Sequence, residues 1–266
     1  MGGIIANGKQ VDARGLTVTT WIDDLSLALT RGEDFIPRDP GTWIRAIIAH
    51  TSKGIMPQPI LPGLGQPVDA GRRLARYWAT DGRCAGAHFV VDADGHVYQC
   101  ADIVTVEAYG CPGWNKNGVH IEMYQQADGA LYEGQLDATV TLIDVLTAAL
   151  GIQRQIPHRY LGAIDRFLDE DTRGTVVGVI GHRDAARNRG PGDPGSAIFY
   201  RLGAAGYEDF DFTASADRDA WRRRQRDLGV DPPDGVAGPA TTAALKAAGK
   251  PHGLWIQRPG DDPAVG

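Results

Sequence analysis

Hydrophobic positions along the chain follow two periods. Unbroken or nearly unbroken apolar runs at Trp43–Ala49 and Val176–Ile180 are short and bounded by polar or glycine residues, which predicts strands buried on both faces. A histidine closes each run, His50 in the first and His182 just after the second. Phe89-Val90-Val91 and Val97-Tyr98 flank Asp94-Gly95, a strong hairpin signal. Val119 and Ile121 alternate with His120 and Glu122, so a strand there turns its aliphatic side chains to one face and Glu122 to the other. Leu16–Trp21 predicts a further alternating strand. Helical spacing governs Val68–Trp78, where Ala70, Leu74, Ala75 and Trp78 share a face opposite several arginines. It also governs Gln135–Gly151, with Leu136, Val140, Ile143, Leu146, Thr147 and Leu150 on one side and Gly151 as the stop. Ala197–Leu202 predicts a short helix, and the acidic stretch Glu208–Phe212 a boundary.

Composition narrows the class without naming a function. The 266 residues are 42% hydrophobic and 23% charged, ordinary for one substantial globular domain with a small companion. A formal net charge of −6 argues against a nucleic-acid partner, whose phosphates select basic surfaces. Three cysteines, Cys84, Cys100 and Cys111, form no Cys-x-x-Cys pair and are odd in number, which predicts synthesis in a reducing compartment. No apolar span is long enough to cross a membrane, and Met1–Gln10 lacks the apolar core of a secretory signal, so the expectation is a chain made in the cytoplasm without a signal peptide.

Candidate chemistry concentrates after the second apolar run. The segment from Gly181 to Gly195 is too rich in Gly and Pro for a helix and is expected to be a loop that folds back, bringing Asp193, held by the Asp193-Pro194-Gly195 turn, beside His182. An imidazole and a carboxylate suit zinc, with His50 as the third ligand and a fourth position left for water. Two strand-end histidines are what an open-sheet site requires. A lone strand-end histidine is usually a hydrogen-bonded core residue; two in the same context beside such a turn favour a ligand set. The loop Tyr109–Gly118 offers Trp114 and Asn115 as an aromatic platform beside an amide, a surface for a sugar ring or peptide stem, although Trp114 equally suits a core cap. His88 and His96, flanking the hairpin, are expected outside the metal site.

In chain order, a strand ending His50-Thr51, the segment His88–Gln99, the strand Gly118–Glu122, and Gly181-His182-Arg183-Asp184 followed by Asp193-Pro194-Gly195 resemble the zinc-dependent N-acetylmuramoyl-L-alanine amidases of the type 2 amidase and peptidoglycan-recognition family. The likeness spans about Ile44 to Leu202. It implies an α/β fold with a central mixed β-sheet flanked by helices, zinc on His50, His182 and Asp193, and bacterial peptidoglycan or its muropeptide fragments as substrate. Some relatives carry a tyrosine where this chain has Ala87, which makes Glu122 the acid/base, as in other relatives. Many carry a lysine where this chain has Pro191, which leaves Arg189 and Arg187 as the nearest cations and Arg189 as the candidate to stabilise an oxyanion. A phage endolysin of this type reaches the wall through a separately made membrane lesion.

Beyond Asp217, the segments Asp219–Gly229 and Asp234–Leu245 resemble the helical peptidoglycan-binding repeat, without its usual aromatic-Gln ending. The expected organisation is an N-terminal extension (1–40) packed on the main domain, a catalytic domain (41–212), and a short helical module (213–266) separable from catalysis, which either binds wall or only braces the catalytic domain. The expected activity is hydrolysis of the amide between N-acetylmuramic acid and L-alanine. The alternatives are a non-catalytic peptidoglycan-binding protein on the same fold, and a zinc amidase acting on another acylated peptide.

Overall fold

An Asn-Gly pair sets the first turn of the structure, a computed structural model that describes residues 2–29, 36–52, 69–80, 85–124, 131–157, 176–186, 193–210, 222–234, 239–250 and 254–255. Strands β1 (Gly3–Ala6) and β2 (Lys9–Asp12) pair antiparallel around Asn7 and Gly8. Both turn residues have positive φ, 52° and 67°, the backbone a two-residue Asn-Gly hairpin uses. There follow β3 (Val18–Thr20), a 3-10 turn at Leu25–Leu27, β4 (Ile36–Pro37), β5 (Trp43–Ile44) and β6 (Ala46–Thr51). Next come α1 (Ala70–Thr80), β7 (Phe89–Val91), β8 (Val97–Gln99), β9 (Val106–Glu107), β10 (Gly118–Met123) and α2 (Glu133–Leu150). The remainder holds β11 (Gln155–Pro157), β12 (Gly178–Gly181), the single turn α3 (His182–Ala185), α4 (Ala197–Ala204), β13 (Glu208–Phe210), α5 over 222–227, α6 (Pro239–Ala247) and β14 (Leu254–Trp255).

Six strands form the central sheet in the order β12-β6-β10-β7-β8-β3. The pairs β12/β6, β6/β10, β10/β7 and β3/β8 are parallel, and the Asp94-Gly95 hairpin makes β7/β8 antiparallel. The sheet is therefore mixed, with helices against it, as the family resemblance implied. Alternation sorts its side chains. Ile47, Ala49, Phe89, Val91, Val119, Ile121, Met123 and Val179 pack with Leu136, Leu142, Ile143 and Leu146 of α2 and with Ile198, Phe199 and Leu202 of α4. Their neighbours in sequence, Ile48, His50, His120, Glu122 and Ile180, turn to the other face. Burial on both faces explains why the parallel strands read as nearly continuous apolar runs. The main helix ends where expected, at Gly151 with φ 64°, whose N–H donates to the Thr147 carbonyl.

Several expectations change. The run Trp43–His50 is two strands interrupted at Arg45, whose guanidinium lies 5.1 Å from the Trp43 ring centroid and 5.6 Å from that of Trp114. The segment after Gly181 begins not as a loop but as the helical turn α3, because Asp184 Oδ2 accepts the Gly181 N–H at 2.9 Å and closes it. Within the acidic stretch expected as a boundary, Glu208–Phe210 form β13, parallel to β11. At the C-terminus, Leu245 is fully buried in the same cluster as the sheet and α2, and β14 pairs antiparallel with β5. Arg224 Nη1 donates to Gln153 Oε1 at 3.0 Å. Within that segment the buried Gln225 joins α5 to α6 through the Thr241 hydroxyl at 2.8 Å. Cys84, Arg187, Arg189 and Pro191 lie outside the described residues.

Candidate metal centre

His50 is the penultimate residue of β6, with β12 on one side and β10 on the other. Parallel register sets Ala49 against Gly181, so the residue after Gly181, His182, comes down beside His50 at the C-terminal edge of the sheet. Asp193 is fastened at two points. Its Oδ1 accepts the Thr51 N–H at 2.9 Å, and its carbonyl accepts the Arg183 N–H at 2.7 Å. The fold-back expected between His182 and Asp193 is thus closed by hydrogen bonds from the residues that follow each histidine.

The three side chains converge. His50 Nδ1 and His182 Nδ1 are 2.8 Å apart, and His182 Nδ1 lies 3.2 Å from Asp193 Oδ2. One donor atom from each lies within 4.8 Å of the others, and all three residues are buried. Zinc bonds of about 2.0–2.1 Å in a tetrahedron would set ligand atoms about 3.3 Å apart, close to the spacings found. Two imidazole nitrogens facing each other beside a carboxylate are a donor set that zinc accepts, so the residues fit the metal. Burial alone would push the Asp193 carboxyl up, but the His182 hydrogen bond, the two nearby imidazoles and the Thr51 N–H outweigh it and hold it below the usual carboxylate range. Asp193 is therefore a carboxylate at neutral pH.

Glu122 stands opposite His50 in the β10/β6 register and shares its face of the sheet. It is the one residue of β10 that is not buried. Behind the triad the histidines continue. His50 Nε2 is 2.9 Å from His120 Nδ1, and the His120 ring stacks on His88 with centroids 5.8 Å apart and planes 4° from parallel. His88 Nδ1 accepts the His120 backbone N–H at 3.0 Å while its Nε2 faces the Val106 carbonyl at 3.1 Å, which assigns it the Nε2–H tautomer. Burial, helped by the Arg38 guanidinium, pulls the His88 pKa down to about 3, so it is neutral. His120 is held neutral by burial first and by its neighbours His50 and His88 after that. Sequence reading assigned His120 no role. Its period-two alternation with Glu122 was visible, but only the register puts it one step behind His50.

Of the two readings of Trp114, its burial matches the core cap. Trp114 is fully buried among Ala46, Ile48, Cys111 and Ile180, folded inward by turns in which Trp114 N–H donates to the Cys111 carbonyl and Asn117 N–H to that of Trp114. Asn115 Oδ1 accepts the Cys111 N–H at 2.9 Å and so closes the same loop. Arg38 ties the loop down further by donating to the carbonyls of Asn115, Lys116 and Gly118. The physical reason is position. The loop feeds the start of β10, where Gly118 pairs with Ala46, whereas Glu122 pairs with His50. Four residues of strand put it roughly 13 Å from the ligand end.

The α/β domain with its mixed sheet thus carries, at the C-terminal edge, a buried His-His-Asp set that could hold a metal ion. Residues 41–196 match the N-acetylmuramoyl-L-alanine amidase family, and the chain belongs to it. No curated protein matches the sequence. Among solved structures, the chain is similar to the endolysin N-acetylmuramoyl-L-alanine amidase LysCS of Clostridium intestinale, at 14% identity and TM-score 0.39 over 72% of this chain and 99% of that one. It is also similar to the Drosophila peptidoglycan recognition protein SD, at 15% identity and TM-score 0.46 over 74% and 99%. Drosophila PGRP-LB gives 16% identity and TM-score 0.44 over 75% and 99%. The assignment to the family rests on the sequence match.

Proposed function

We propose that the protein is a zinc-dependent N-acetylmuramoyl-L-alanine amidase that cleaves the amide between the lactyl group of N-acetylmuramic acid and L-alanine in bacterial peptidoglycan or its muropeptide fragments. The convergence of His50, His182 and Asp193 carries this reading. Those three residues would hold zinc and leave one position open. Zinc in such a site supplies Lewis acidity, activating water toward an amide carbonyl.

The rest of the reaction falls to side chains. The leaving group is an amine, so a proton must reach its nitrogen before the C–N bond breaks. Glu122, opposite His50 in the register, accepts the proton of the attacking water and delivers it to that nitrogen. Arg189 is kept as the candidate partner for the developing oxyanion. Asn115 remains a candidate substrate contact only through its loop's outer surface. Among the described residues no helix is long and apolar enough to cross a membrane. A bacteriolytic, endolysin-type role fits a wall substrate, with access gained through a separately made lesion.

The test is zinc content measured together with release of stem peptides from purified peptidoglycan. One zinc per chain and free L-alanine amino termini on released peptides are expected, with release stopped by chelation and restored by zinc. Binding to peptidoglycan without release, in zinc-loaded protein, would leave the chain as a wall-binding relative without catalysis.

A further inference from the structure

The ligand His50 is held from behind by another imidazole. Its Nδ1 faces His182 at 2.8 Å and its Nε2 faces His120 Nδ1 at 2.9 Å. If Nδ1 ligates, the proton of a neutral imidazole must sit on Nε2, and His120 Nδ1, 2.9 Å away, is placed to accept it. Accepting it puts His120 in the Nε2–H tautomer. His120 Nε2 is buried and has no hydrogen-bond partner among the described residues. An apolar side chain would fill this place without stranding a donor, so the imidazole is retained against its local interest.

A second observation concerns the space beside the ring. A Cβ added at Gly110 would stand 2.6 Å from His120 Nδ1 and 2.8 Å from its Cγ, and the three atoms nearest to it all belong to the His120 side chain. Gly110 does not have a positive φ. Its missing side chain is therefore explained by the room the ring needs, not by the backbone. The stack on His88 and the bond from the His120 N–H to His88 Nδ1 fix the ring from the other side.

From this geometry we infer that His120 is a positioning residue: it locks His50 into the tautomer and ring orientation that present Nδ1 to the metal, and Gly110 keeps the space in which it does so. Outer partners of ligating histidines are commonly carboxylates or backbone carbonyls, which orient the ring and raise its basicity. A neutral imidazole orients the ring and adds no charge behind it. The inference rests on the zinc reading of the triad.

The test measures zinc affinity of the full chain by competition with a chromophoric chelator. Nitrogen-detected NMR of the zinc-loaded protein reports which His50 nitrogen carries hydrogen. His120→Leu removes the acceptor, Gly110→Ala pushes the ring aside without removing it, and His120→Asn keeps an oxygen acceptor near the Nδ1 position. A loss of about 10–100-fold in zinc affinity is expected for the first two, with His120→Asn recovering most of it and the His50 Nε2–H signal present in wild type and weakened in His120→Leu. Wild-type affinity in both His120→Leu and Gly110→Ala would overturn the inference while leaving the triad intact. So would equal losses in His120→Asn and His120→Leu, since filling of space would then explain both. Absence of zinc binding by the wild type would remove the triad reading and this inference together.

Discussion

Glu122 and His50 meet across one step of strand pairing, and their different burial separates their tasks. The imidazole of His50 is buried and suits a ligand, whereas the half-buried Glu122 suits the proton-transfer role proposed for it. Glu122→Ala is therefore expected to keep zinc and lose about 10²–10⁴-fold in turnover. His182→Ala is expected to lose metal and activity together. Metal analysis beside a peptide-release assay separates the two outcomes, and near-normal turnover by zinc-loaded Glu122→Ala would move the acid/base to another residue. The same row of histidines makes stability depend on pH. His88 is neutral in the fold, with its pKa drawn from 6.5 to about 3 by burial and by Arg38. Below 6.5 the unfolded chain takes up a proton that the folded chain refuses, so stability falls as pH drops, by about 1.4 kcal/mol per unit from this group until the folded pKa is reached. Denaturant titrations of metal-free protein across that window should show the loss, and His88→Gln should flatten it.

At the scale of elements, β12 is the strand on which placement of His182 depends, and it is pinned where it starts. A Cβ at Gly178 would stand 2.6 Å from the Gln155 carbonyl oxygen, which belongs to the backbone of β11 and has little freedom to retreat. Gly178→Ala is expected to destabilise the fold by about 1–3 kcal/mol and to weaken zinc binding by shifting β12 against β6. Unchanged melting temperature and zinc affinity would show that β11 gives way. Elements of this kind were legible in the sequence as far as their own period reached. Gly151 and the stripe from Leu136 to Leu150 announced α2, and Asp94-Gly95 announced the β7/β8 hairpin. The triad was legible because each ligand sits at a chain signal that is local: the end of an apolar run, or an Asp-Pro-Gly turn. What stayed open needed pairing information. Trp114 reads equally as an exposed aromatic and as a core cap, and only the direction of β10 shows which end of the sheet its loop feeds. His120 likewise acquires meaning from the register with β6. Asn7-Gly8 carried a hairpin signal as strong as any, hidden because the strands beside it are short.

Across the whole molecule, the C-terminal segment closes onto the strand that leads to His50. The sequence suggested a wall-binding repeat beside the catalytic domain, since the Gln225 helix end and the turn before Pro239 follow that repeat's pattern. Its described residues also touch the main domain, as a bracing role would have it. Leu254 and Trp255 pair with Ile44 and Trp43, one residue upstream of β6, and Leu245 is buried with Ile44, Ile47 and α2 in the main cluster. Removing the segment would return Leu245's contacts to solvent and strip the pairing from β5. A buried leucine is worth about 1.5–3 kcal/mol, and an unpaired apolar edge invites association. A chain ending at Thr213 is therefore expected to melt at lower temperature than the full chain and to associate at concentrations where the full chain does not. Its zinc affinity should fall along with its stability, because β5 runs through Arg45 directly into the strand that carries the first ligand. Thermal denaturation, light scattering and chelator competition on the two chains provide the check. Equal melting temperatures with reduced retention on intact wall would return the segment to the role of a separable binding module, while a parallel drop in stability and zinc affinity would make it the clamp that holds β5 in place.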